Sequence, residues 1–208
     1  MFPMVRATRY LRYLIASLLV LLLAACTQAP PKFKGLDLSQ VDWGGDFELT
    51  AHTGKRVKAS EFRGKVLILF FGYTHCPDIC VPTLAKLAAV VKRLGADAER
   101  VQVVFVTVDP QHDTPAQLAP FVANFHPSFI GLTGTAQEIA AVASDYKIAY
   151  QKAATGHGLK GAPQHELIEH FGGVLIKDAQ GKLRLLYALE HTDADIEHDV
   201  RLLLKAKS

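Results

Sequence analysis

Two cysteines, Cys76 and Cys80 in Tyr73-Thr-His-Cys-Pro-Asp-Ile-Cys80, are the residues of this 208-residue chain whose type and spacing most clearly suggest chemistry. They follow the apolar run Val66 to Phe71 (VLILFF) and precede a stretch with apolar residues at 84, 87, 88, 91 and 94 that ends at Gly95. The first run has the length and β-branched character of a buried strand, and the second has the spacing of a helix. A crevice at the carboxyl end of a strand is the usual site of chemistry in an open α/β sheet. A helix start adds unpaired N–H groups and a partial positive charge, which favour thiolate over thiol. On a helix, residues four apart share a face about 6 Å apart at Cα, which suits a disulfide or a shared metal ion. Pro82 is expected to bend or shorten that turn. Three chemistries stay open on the pair alone: a structural disulfide, a redox dithiol and a metal site. The first would close a loop of a few residues and would stabilise the fold little.

The elements that must position the cysteines alternate. Val101 to Val108 (VQVVFVTV) reads as a second buried strand. Thr114-Pro-Ala-Gln117 supplies an N-cap, a proline at the first helical position and a Gln three residues on, predicting a helix to about Phe125. Thr135-Ala-Gln-Glu138 repeats the box for a helix to about Tyr146. Gly173 to Lys177 and Leu183 to Leu189, parted by Asp178-Ala-Gln-Gly181, read as a hairpin, and a last amphipathic helix spans about 193 to 206. This order predicts an α/β domain of thioredoxin-like fold over residues 43–208, with a central mixed sheet flanked by helices. Phe47 to Phe62 reads as an added N-terminal hairpin.

The first 25 residues hold Arg6, Arg9 and Arg12, no acid, and an apolar run from 13 to 25 that is short of the roughly 20 residues a membrane span takes. A basic start, an apolar centre and small residues at a cut site describe a secretory signal peptide. Leu23-Ala-Ala-Cys26 is similar to the lipobox of bacterial lipoproteins, which implies acylation of Cys26. Residues 26–42 are polar and proline-bearing and read as a tether. The body would then face an oxidising compartment of the bacterial envelope, the periplasm, from a lipid anchor in the inner membrane. Setting the three arginines aside, 20 basic residues face 20 acidic ones, from totals of 23 and 20. A neutral body with one Trp and no basic block gives no footprint for nucleic acid.

Three segments in order, Phe70-Phe-Gly-Tyr-Thr-His-Cys-Pro-Asp-Ile-Cys80-Val-Pro-Thr, Val108-Asp-Pro-Gln-His-Asp-Thr-Pro115 and Gly131-Leu-Thr-Gly-Thr135, resemble the Sco/SenC family of copper proteins. The resemblance runs over residues 40 to 205. It implies a thioredoxin fold that binds one copper ion, as Cu(I) or Cu(II), through Cys76, Cys80 and a distant His. It also implies delivery to the subunit of cytochrome c oxidase that carries the copper A centre, with a second periplasmic copper chaperone as a further partner. The family's His opens the strand that precedes a hairpin with an acidic-Gly turn, a position that corresponds to His170, in Glu169-His-Phe-Gly-Gly-Val-Leu-Ile-Lys-Asp178. Family members often carry Asp before this His and a small hydroxyl residue after it, where this chain has Glu169 and Phe171. His165 is the local rival, and His157 lies in a Gly-rich stretch, Ala153 to Pro163, that reads as a mobile loop.

Two thiolates satisfy Cu(I), and an added imidazole suits Cu(II). Two sulfurs and one nitrogen also leave a position open for handover. Asp109 and Asp78 are candidates to support the ligands from behind, although turn formation is the first reading of Asp109 and complement to the helix start the first reading of Asp78. Asp113 reads as a turn and capping residue. The competing reading is an enzyme, a thiol-disulfide oxidoreductase that keeps the oxidase cysteines reduced through the same two thiols. Three residues between the cysteines, where thioredoxin-like reductases have two, and no proline at 168 to 171 lean toward the metal. No phosphate-binding loop, serine-hydrolase elbow or paired-histidine helix motif offers another chemistry.

Overall fold

A computed structural model describes residues 32–152 and 168–206. The expected signal peptide, Cys26, His157 and His165 lie outside the described residues. Of Lys152, Glu169 and His170 the backbone is described.

The centre of the fold is made by the two apolar runs. β4 (Val66–Gly72) and β5 (Val101–Thr107) pair in parallel, Val66 opposite Val101 through Gly72 opposite Thr107, and every residue of both is buried. Alternation sends Val66, Ile68 and Phe70 to one face and Leu67, Leu69 and Phe71 to the other. Each face therefore needs its own cover, which is why both strands are apolar throughout. On the first face lie α1 (Cys80–Leu94), α2 (Pro115–Ala123) and α4 (Asp193–Lys205), and on the second α3 (Ala136–Asp145) with the residues around Phe47 and Leu49.

Around the central pair the sheet extends to eight strands. β6 (Ile130–Thr133) adds in parallel to β5, and beyond it stand β2 (Glu48–Ala51) and β3 (Arg56–Lys58), the added hairpin. On the other side β9 (Val174–Lys177) runs antiparallel to β4, followed by β10 (Leu183–Tyr187). The capping boxes at Thr114 and Thr135 form, and a third starts α4 at Thr192. The sheet is mixed and flanked by helices, as the order of elements predicts.

Two features differ from the sequence reading. The ordered fold begins before residue 43: β1 (Leu36–Asp37) pairs with β10, and Leu38 is buried. The fully buried carboxylate of Asp199 holds this segment, accepting from the Lys34 and Gly35 N–H groups at 2.7 and 2.9 Å and from the Tyr187 hydroxyl at 2.7 Å. A polar, proline-bearing composition says nothing of a buried acceptor 165 residues away. The second is a separate two-stranded sheet, β7 (Tyr150–Lys152) with β8 (Ile168–His170). His170 therefore closes this small strand and does not open the hairpin strand β9.

Candidate metal centre

The cysteines stand where the sheet hands over to α1. β4 ends at Gly72, and a side chain there would put its Cβ 2.7 Å from the Cys80 sulfur, so the glycine is what lets helix and strand meet this closely. Cys80 is the first residue of α1 and is fully buried, whereas Cys76 is half-buried. Cys76 lies outside the helix, in a turn closed by its own N–H to the Tyr73 carbonyl at 3.2 Å. The helical same-face spacing is thus not what pairs the sulfurs. The turn does it, and the two thiols are close enough to hydrogen-bond to each other. Pro82 does not interrupt α1, because at the third helical position its missing N–H belongs to the group with no partner inside the helix. The helix continues through it, with Thr83 N–H on the Ile79 carbonyl.

The hydrogen bond with Cys76 and burial push the Cys80 thiol well above the ordinary range. That shift favours the thiol over the thiolate expected at a helix start, so a soft cation that binds there competes with its proton.

Asp113 fixes the loop that carries Cys76. Its fully buried carboxylate accepts from the Thr74 N–H at 3.0 Å, the Thr107 hydroxyl at 2.6 Å and the Thr74 hydroxyl. Burial pushes this carboxyl up, and the three donors act against that. The Asp109 N–H donates to the Thr107 hydroxyl oxygen at 2.9 Å, and its carboxylate pairs with His112 Nδ1 at 2.8 Å. It borders a cavity of about 190 Å³ lined also by Val108, Pro110, Gln111, Ala136, Tyr150 and Ile168. Asp78 is exposed and precedes α1 by two residues.

The strand of His170 is bracketed against the cysteine loop on both sides. Two residues before it, the Ile168 N–H donates to the Tyr73 hydroxyl at 3.2 Å. Two residues after it, Gly172 lies so near Ile79 that a Cβ would come within 2.5 Å of the Ile79 methyl. In between, His170 pairs with Tyr150, and the Phe171 N–H donates to the Ala149 carbonyl at 2.9 Å. The backbone thus brings residue 170 beside a loop 90 positions earlier. Sequence reading missed Tyr73 and Asp113 as parts of this assembly. Their adjacency to the cysteine motif and to Asp109-Pro110 was the available signal.

A family model described as SCO1/SenC matches residues 37–205. The mitochondrial SCO2 homologue of Bos taurus is 38% identical over 159 residues, which are 76% of this chain and 58% of that protein, so the chain spans about three fifths of that relative. The crystal structure of Arabidopsis thaliana ScoI with copper bound superposes with a TM-score of 0.70 at 34% identity, covering 79% of this chain and 99% of that one. BsSco, described as having a disulfide switch and as a member of the Sco family of cytochrome c oxidase assembly proteins, superposes with a TM-score of 0.61 at 26% identity, over 86% of this chain and 100% of that one.

Proposed function

This chain belongs to the SCO1/SenC family, and from that membership we propose that it is a copper carrier of cytochrome c oxidase assembly, holding one ion through Cys76, Cys80 and His170. The observation that carries the reading is the bracketing of the His170 strand against the cysteine loop, at Ile168 on Tyr73 and at Gly172 on Ile79. The donor set fits the cargo. Two thiols within hydrogen-bond reach can share one soft ion, and their thiolates satisfy Cu(I). An imidazole from residue 170 adds the borderline donor that Cu(II) gains from. Three donors leave a position open, so the ion passes by ligand exchange to the oxidase subunit that carries the copper A centre. Asp109 and Asp78 do not contact the ion directly in this reading. Asp109 steadies the turn beside it through His112.

A second reading rests on the contact between the two thiols. As a reductase, the chain would give two electrons and two protons to a disulfide of the oxidase subunit, leaving two thiols there and a Cys76–Cys80 disulfide here. The two readings part in cells that depend on this chain. For the carrier, a His170→Ala strain loses oxidase activity and added copper salt partly restores it by mass action. Restoration of a Cys76→Ser strain by an external thiol alone would assign the reductase instead. The same cells test the location, a periplasm-facing lipoprotein of the inner membrane. Wild-type chain is expected in the membrane fraction and Cys26→Ser chain outside it, and unacylated soluble wild-type protein would contradict the anchor.

A further inference from the structure

One residue touches all three ligand-bearing segments. The Tyr73 carbonyl closes the turn of Cys76, its backbone N–H donates to the Cys80 sulfur, and its hydroxyl receives the N–H of Ile168 in the strand of His170. Its ring is 2% exposed, among Leu69, Phe71, Val106 and Val108 on the second face of the sheet, so the hydroxyl cannot swing to another position without unpacking that face.

We infer that the Tyr73 hydroxyl is a positioning group that sets the approach of the His170 strand to the cysteines, and thereby tunes the site for Cu(II) with little effect on Cu(I). This rests on the three-ligand reading above. β8 has three residues and ladders with one short strand, β7, outside the main sheet, so its place beside the cysteine loop rests on the packing of Ile168, on Gly172 against Ile79 and on the bond to Tyr73. The bond to Tyr73 ties it to the side of the molecule that carries the sulfurs. Without that bond both thiols keep their place, because the Tyr73 backbone contacts and the Asp113 latch on Thr74 remain. The imidazole then has to be brought in at an entropic cost. Only the oxidation state that uses the imidazole feels that cost.

The test is Tyr73→Phe in the reduced full-length chain, which keeps the ring and removes the hydroxyl. The Cu(II) dissociation constant is expected to rise about three- to tenfold, the worth of one hydrogen bond, while that for Cu(I) stays within about twofold. In a His170→Ala background the same change should have no further effect on Cu(II). Equal losses for both oxidation states would make Tyr73 a general packing residue and overturn the inference. So would a silent Tyr73→Phe beside an effective His170→Ala. If His170→Ala itself leaves Cu(II) binding intact, it is the three-ligand reading that fails, and this inference with it. A measurement needing no variant is amide exchange at Ile168 in the wild-type chain, expected to be protected at least about tenfold by its bond to Tyr73. An unprotected amide would overturn the proposal.

Discussion

Replacing Cys80 by Ser removes tight Cu(I) binding from the reduced chain, and replacing Cys76 does the same. A four-ligand thiolate and imidazole site holds zinc with about 10–16 kcal/mol, so each donor is worth roughly 3 kcal/mol, or more than a hundredfold in affinity. For Cu(I), with two sulfurs as the whole donor set, one lost sulfur is half the site. A serine hydroxyl is a hard donor and does not substitute. Oxidation of the wild-type pair blocks binding as well, since a disulfide offers no thiolate. Cys80→Ala serves as the packing control, because Cys80 is fully buried within the α1 core. Competition against a colorimetric Cu(I) chelator under anaerobic conditions reads the loss. An unchanged one-to-one stoichiometry in the double Ser variant would place the site elsewhere.

His170→Ala separates the oxidation states. Cu(II) affinity is expected to fall by roughly a hundredfold, again the worth of one donor, while Cu(I) affinity changes by less than about threefold. His165→Ala and His157→Ala should each do far less. The readout is the sulfur-to-Cu(II) charge-transfer band followed during titration. If His165→Ala abolishes the band and His170→Ala leaves it intact, the imidazole belongs to the preceding loop.

The central fold and both thiols are legible in the sequence for one reason. VLILFF and VQVVFVTV are apolar without alternation because both faces of β4 and β5 are covered. A motif at the end of such a strand therefore lies at the sheet's carboxyl edge. The Thr114 and Thr135 capping boxes are local signals, and they place α2 and α3 to within two residues. The misses share a cause as well. β1 depends on Asp199, β8 on Tyr73, and the Cys76 turn on Asp113, each a contact between residues far apart in sequence. No periodicity announces a buried carboxylate that accepts from a distant backbone. The helical spacing of the cysteines illustrates the point from the other side. It pairs the sulfurs through a geometry that the protein does not use, since Cys76 sits in a turn. His170 is legible only through the family resemblance, and its surroundings only through the backbone contacts at Ile168 and Gly172.

X-ray absorption at the copper edge of the full-length chain loaded with one equivalent of Cu(II) tests the central claim most directly, because it counts donor atoms by type. The three-ligand site predicts two sulfur scatterers and one imidazole nitrogen, with the nitrogen lost in His170→Ala and both sulfurs retained. A shell of nitrogen and oxygen alone, or a single sulfur in the wild-type chain, would contradict it.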